Sequence, residues 1–342
     1  MAQSKSYDEK KQILKQLVLR GSNQTFDSLS SQYQLDKFAF TKLRSVYRQR
    51  AGRELEDGDF LSFGLVDEND MLTNASALLA DESPIRQSRL FCTRWYGLDK
   101  ASGTMDAIDD KEFSGSLVTL LQSGEEFVRN NSKKRWKKTA TGRDEMSDYP
   151  ERAALECIVN GLIHRDYLEL GSEVHIDMFD DRLEIYSPGG MYDGSCVQNL
   201  DTDKIPSQRR NPIIADMFNH MNYMERRGSG LKKIKGDYQK EVNYRGNFNP
   251  KFYSNNKSFW VTLYNLNYDV PIEEASEAKL DLCQDKLDFD KSKLDLTQIN
   301  LILMRTNLNP NETALSRTSR IHKNFTNSFL INQSYKYIID LV

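Results

Sequence analysis

The stretch ALECIVNGLIHRDY at residues 154–167, followed by EVHIDMF at 173–179, the pair Asp180-Asp181 and RLEIYS at 182–187, carries the sharpest structural signals in the chain. In the first segment Ala154, Leu155, Ile158, Val159 and Leu162 recur at helical spacing and predict a helix over 150–166. The next two runs alternate apolar and polar residues around a two-residue acidic turn, which predicts a β-hairpin. Downstream, RRNPIIADMFNHM at 209–221 predicts a helix begun at Pro212, ERRGSGLKKIKGDYQ a helix begun at a glycine turn, and SFWVTLYNL at 258–266 a closing strand. Helices and an antiparallel hairpin in one stretch of chain predict an α+β class.

The chemistry concentrates on the same helix. Glu156, Asn160 and His164 are spaced i, i+4 and i+8, so they drift only about 40° per step and form one polar line opposite the apolar stripe. An amide oxygen is a neutral, hard ligand for Mg²⁺, and a carboxylate one turn earlier can order and deprotonate a water. This assigns the metal to Asn160 and the water to Glu156. At the helix end, Arg165 is placed to meet a phosphate and Asp166 to orient His164, although a histidine near a helix end is equally a structural hydrogen-bonding group. Gly228, Ser229 and Gly230 stand directly before an apolar helical segment, where free backbone N–H groups form a phosphate cradle. Arg209, Arg210, Arg226, Arg227, Lys232 and Lys233 add positive charge nearby. No GxxxxGK[ST] motif occurs, so a P-loop helicase motor is not supported.

Working outward, residues 7–50 read as two or three short helices whose basic end, Lys42 to Arg53, is a solvated face or a phosphate contact. LTNASALLA and RLFCTRWYG read as a helix and a strand, and 112–130 as a helix. The run 129–143 places seven basic residues in fifteen, with no acid among them. Within it Lys133, Lys134, Arg135, Trp136, Lys137 and Lys138 form a candidate nucleic-acid surface, cations for the backbone and an aromatic ring for a base; a lysine-rich loop with Trp136 packed back on the domain is the competing reading. The expected organisation is a helical segment at 1–55, an α/β part at 56–145, a nucleotide-binding domain at 146–268, a repetitive linker at 269–297 and a small helical or winged-helix-like remnant at 298–342. Leu280, Leu287, Leu294 and Leu301 fall seven apart, but their apolar companions two positions on lie across a helix, which argues against a coiled coil.

Composition bounds the rest. A formal charge of -3 and an isoelectric point near 5.9 give no global pull toward nucleic acid, so such binding rests on local patches. Cys92, Cys157, Cys196 and Cys283 lie far apart without metal-ligand spacing, and reduced thiols are expected. No apolar run is long enough to span a membrane, which leads to the expectation of a cytoplasmic protein with no membrane partner.

The runs ALECIVNGLIHRDY, DDRLEIYSPGGMYDG, RRNPIIADMF and ERRGSGLKKI resemble the C-terminal ATP-binding domain of RecG-like or divergent AAA proteins, transcriptional regulators related to the GHKL ATPases; LTNASALLA and RLFCTRWYG match the same family. The resemblance implies a Bergerat-type α/β sandwich, with helices on a mixed, largely antiparallel sheet. It equates Glu156 and Asn160 with the N-box and Gly228 to Gly230 with the glycine-rich phosphate lid. His164, Arg165, Arg210, Asn211 and Arg227 join them as phosphate-binding residues. Ser187, Gly189 and Gly190 stand where GHKL enzymes open their first glycine box with an adenine-reading Asp, a departure at Ser187. The implied cofactors are ATP and Mg²⁺, the implied partners nucleotide and DNA, with a homodimer and a weak GHKL-type ATPase as further expectations. The N-terminal part resembles a partial Schlafen-like DNA-binding module. The alternative is a nucleic-acid-binding or interaction protein whose nucleotide site is degenerate and does not hydrolyse.

Overall fold

Cys92, Ile176, Ile185 and Val261 face one another across four strands and are at most 4% exposed, so a single row of apolar side chains runs across the middle of the sheet. The computed structural model describes residues 18–268 apart from 20, 101–105, 203, 206–207 and 225–229. The expected linker and tail, and Arg227, Gly228 and Ser229, lie outside the described residues.

The row belongs to a six-stranded mixed sheet. In chain order the described strands and helices are β1 (Ser30–Gln34), α1 (Thr41–Ala51), α2 (Asp57–Ser62), β2 (Met71–Thr73), α3 (Asn74–Leu79), β3 (Arg89–Trp95), β4 (Ala107–Ser114), α4 (Leu117–Asn130), β5 (Lys134–Lys138), β6 (Arg143–Ser147), α5 (Glu151–Ile163), β7 (Val174–Met178), β8 (Arg182–Pro188), α6 (Pro212–His220), α7 (Gly230–Lys240), β9 (Lys251–Ser254) and β10 (Ser258–Tyr264). The sheet runs β4-β3-β7-β8-β10-β9, antiparallel at every junction except the parallel β3–β7 pair. The α+β class and the mixed, largely antiparallel sheet under helices hold.

Helices α4 and α5 cover the apolar face. A Cβ on Gly124 of α4 would lie 2.9 Å from Leu90 Cδ2 and 3.1 Å from Ile176 Cδ1, so the missing side chain is what lets this helix sit on the sheet. In α5, Ala153, Ala154, Cys157, Ile158, Val159, Gly161, Leu162 and Ile163 are buried, an arc wider than one stripe because the helix also packs against α4 and α7. The opposite sheet face is aromatic instead: Phe91, His175, Tyr186 and Trp260 form a cross-strand ladder with ring centroids 5.4, 5.5 and 4.6 Å apart.

Several local expectations change. Strands on both sides of position 145 share this sheet, so the boundary expected there does not separate two sheets; the cause is the non-local β3–β7 pairing. The helix expected from 112 begins at Leu117, because Glu112 to Ser114 complete β4 and Gly115 turns the chain at φ +113°. The N-terminal segment expected to be helical contains β1, paired with β2. The basic run is the strand β5 of a two-stranded hairpin, where Trp136 faces Glu145 and Lys137 faces Asp144. Acids just beyond the run supply the cross-strand partners that the run lacks. Arg44, Arg50 and Arg53 are engaged within the fold, Arg50 donating to the Met221 and Asn222 carbonyls and Arg53 pairing with Asp59. Cys92 and Cys157 are buried free thiols. Among the described residues no helix is long and apolar enough to cross a membrane.

Candidate functional site

Helix α5 begins after Pro150 and ends at Ile163, with the His164 amide donating to the Asn160 carbonyl at 3.0 Å. His164 is therefore the cap of the helix and not part of its surface. Along α5 the half-buried Glu156 and Asn160 stand one turn apart, joined by a hydrogen bond from Asn160 Nδ2 to Glu156 Oε1 at 3.2 Å. Gly230, the first residue of α7, meets this pair: a Cβ there would stand 2.7 Å from Glu156 Oε1 and 3.2 Å from Asn160 Nδ2.

A cavity opens at this meeting point. Its polar lining includes Glu156, Asn160, His164, Ser187, Gly189, Gly190, Arg210 and Gly230, and its apolar floor includes Ile185, Ile234, Phe259 and Val261. A mostly apolar concavity with a few convergent polar groups is the form of a small-molecule site. The floor follows from the pleat: Ile185 of β8 and Val261 of β10 are cross-strand partners on the covered face. These floor residues were not singled out in the sequence, although the period-2 alternation of the two strands contains Ile185, Phe259 and Val261, and the helical period of α7 contains Ile234.

Each wall has a local cause. Ser187 is 5% exposed and its Oγ donates to the Gly161 carbonyl at 2.7 Å, tying β8 to α5. The Gly189 amide donates to the Lys257 carbonyl at 2.7 Å, and Gly189 sits at φ +96°, where a Cβ would strike the Arg210 guanidinium and Asp166. A Cβ on Gly190 would run into the backbone carbonyl of Asn255. Both glycines are thus demanded by close packing of the loop after β8. Arg210 donates through Nη1 to the His164 carbonyl and through Nη2 to the Gly190 carbonyl, each at 2.8 Å, bridging the helix end and the glycine loop. Burial, and then the charges of Arg210 and Arg209, lower the His164 pKa to about 4, so the imidazole is neutral at pH 7.

Two expected phosphate ligands are elsewhere. Arg165 is 1% exposed and donates to the carbonyls of Asp166, Glu169 and Ser172, with its guanidinium over the Tyr167 ring. The helix stops before Arg165, and the chain turns that side chain inward. Asn211 is fully buried and its Nδ2 donates to the carbonyls of Ile163 at 2.8 Å and Arg165 at 2.9 Å, which holds the end of α5. A residue the sequence did not flag, Asp27, is also part of this frame: its Oδ2 accepts the Ile213 amide at 2.7 Å and the Ile214 amide at 3.1 Å, capping α6 from across the chain. The β5–β6 hairpin contributes nothing to this lining; Lys134 to Lys138 are exposed, Trp136 at 57%.

Residues 171–263 match the family model described as "Putative ATP-dependent DNA helicase recG C-terminal". Ser187, Gly189, Gly190, Arg210 and Gly230 fall within that span, while Glu156 and Asn160 precede it. No curated protein matches the sequence. Among solved structures, the crystal structure of the DIP2311 protein from Corynebacterium diphtheriae aligns with a TM-score of 0.58 and 18% identity over 71% of this chain and 48% of that one. The chain spans about half the length of that protein, and the likeness is one of fold. Over 171–263, then, this chain is similar to the ATPase-type domain at the C-terminus of RecG-like proteins.

Proposed function

We propose that the cavity binds ATP with Mg²⁺ and hydrolyses it slowly, in a protein whose nucleotide state governs contact with DNA. The observation that carries this reading is the convergence of Glu156, Asn160 and Gly230 on one point at the mouth of an otherwise apolar cavity. The donor set fits the cation: Asn160 commits its Nδ2 to Glu156, which leaves the amide oxygen as a hard, neutral ligand beside a carboxylate. At Gly230 even a methyl group would crowd that carboxylate, so the missing side chain leaves the space to a ligand.

Bound Mg²⁺ would neutralise phosphate charge at Asn160. Glu156 is assigned the proton of the attacking water as that oxygen bonds to the terminal phosphorus and the bond to the ADP oxygen breaks. His164, being neutral, serves as a hydrogen-bonding group and not as a cation, and positive charge at this end comes from Arg210 and, beyond it, Arg209. Ser187 spends its one proton on Gly161, so any further hydrogen bond it makes is as an acceptor. That is the polarity an adenine amino group requires, and it answers the absence of an Asp at this position.

Calorimetry with ATP, with and without Mg²⁺, on the wild type and Asn160→Ala tests the reading. Mg²⁺-dependent heat that the variant loses is expected; no heat with any nucleotide would overturn it. A second reading is favoured by the exposed strand β5: nucleic-acid binding on the hairpin, with the nucleotide cavity kept as scaffold. It predicts a salt-sensitive gel shift that disappears when Lys133, Lys134, Arg135, Lys137 and Lys138 become Gln. A shift that survives those changes argues against it.

A further inference from the structure

Asn211 stands at the cap position of α6, with Pro212 in the first turn, where an asparagine side chain ordinarily accepts an amide of its own helix. It does not do so here. Its Nδ2 is spent on the Ile163 and Arg165 carbonyls at the end of α5, and its Oδ1 accepts no hydrogen bond among the described residues. The amides of Ile213 and Ile214, which a cap at Asn211 would have accepted, go to Asp27 Oδ2 at 2.7 and 3.1 Å. Asp27 is fully buried, and Thr25 Oγ1 donates to its Oδ1 at 2.5 Å.

The residue before Asn211 is Arg210, whose guanidinium joins the His164 and Gly190 carbonyls on the cavity wall. The start of α6, the end of α5 and the glycine loop therefore meet in two consecutive side chains, and Asp27 fixes the helix start that carries both. The same N-terminal stretch grips the end of α5 a second time. Phe26 stacks on Tyr167 with ring centroids 5.6 Å apart, and the Tyr167 hydroxyl donates to the Leu162 carbonyl at 2.9 Å. Without the Asp27 carboxylate the two amides would lose their acceptor, and Asn211 is the cap residue that sequence places to take them, at the expense of its hold on α5.

We infer that Asp27 is a positioning residue of the proposed nucleotide site: by capping α6 in place of Asn211, it leaves Asn211 to fix the end of α5 and sets the Arg210 guanidinium at the cavity. The inference rests on the nucleotide reading of that cavity. It makes the N-terminal segment part of the site, although that segment lies far outside residues 171–263. Asp27 touches no ligand in this role and acts through residues 210 and 211.

The test is calorimetry with ATP and Mg²⁺ on the whole chain, for the wild type, Asp27→Ala, Asp27→Asn, Arg210→Gln and the Asp27→Ala/Arg210→Gln double variant. Each is first shown to be folded by circular dichroism at the working temperature. Asp27→Ala is expected to bind about fivefold more weakly, and Asp27→Asn, which keeps an acceptor oxygen for the two amides, within about twofold of the wild type. The double variant should bind no more weakly than Arg210→Gln alone, because a displaced guanidinium has nothing further to lose. A cap that serves stability alone would lower the melting temperature of Asp27→Ala and leave its affinity untouched; that result overturns the inference, as do losses that simply add in the double variant. If Asp27→Ala does not fold, Thr25→Val takes its place, removing only the hydroxyl that orients the carboxylate. The expected loss there is about threefold, and unchanged affinity overturns the inference too. No heat from the wild type with ATP defeats the nucleotide reading itself, and this inference with it.

Discussion

Two cavities sit at opposite ends of one sheet, one walled by α5 and the other by the residues that lead into it, and they are built by different rules. The cavity at Glu156 and Asn160 takes its polar groups from residues one helical turn apart and its shape from glycines, so most of it is written in short runs of sequence. The cavity at Arg94 and Tyr149 draws single residues from the ends of three strands, a hairpin and the approach to a helix. Motifs reveal sites whose members are close in sequence. A cavity assembled from strand ends leaves less trace: of this one's lining, Lys133 and Arg135 belong to a run the sequence singles out, while Arg94, Tyr149 and Asn267 do not.

Changes confined to the end at Glu156 and Asn160 test how that end is built. The largest effect is expected for Gly190→Ala, where the new Cβ collides with the Asn255 carbonyl; urea unfolding should show a loss of about 2–3 kcal/mol, and a neutral result would mean the loop after β8 yields freely. Next is Glu156→Gln, which should retain nucleotide binding while turnover of ATP falls roughly a hundredfold. Hydrolysis at the wild-type rate in this variant would remove Glu156 from the chemistry. Gly230→Ala places a methyl 2.7 Å from Glu156 Oε1, a flexible side-chain end, so stability should change little while nucleotide affinity drops about tenfold by calorimetry.

The smallest effect separates the cavities by pH. His164 has a folded pKa of about 4 against an ordinary 6.5, so the unfolded chain binds the extra proton first. Its contribution to stability is complete above pH 6.5 and is lost as pH falls toward 4, at no more than about 1.4 kcal/mol per pH unit. His164→Asn should flatten that slope in urea midpoints measured from pH 7 to 5. Burial pushes the Tyr149 hydroxyl well above its ordinary range, so this group of the second cavity does not titrate over the same interval.

Legibility followed locality. The hairpin β7–β8, the helices at 151–163 and 212–220 and the closing strand were readable because each is specified by its own periodicity or by a Pro at its start. Strand β4 was misread because its exposed, charged face lacks a clean alternation, with Ala107 to Ser114 exposed or half-exposed throughout. Arg165 and Asn211 were misassigned for a different reason. Their residue types suit phosphates, but α5 ends before them, and both are spent on backbone carbonyls at its end.

By itself the sequence determined the α+β class, the helix bearing Glu156 and Asn160, and the glycines that close around them, because spacing along 3.6-residue and 2-residue periods is a local property. Tertiary structure alone decided that β3 lies parallel to β7, that Asp27 caps a helix some 186 residues away, and that Tyr149 meets Arg94, Lys133 and Arg135 around one cavity. Those outcomes rest on packing one apolar row across four strands, which no local window of the chain contains.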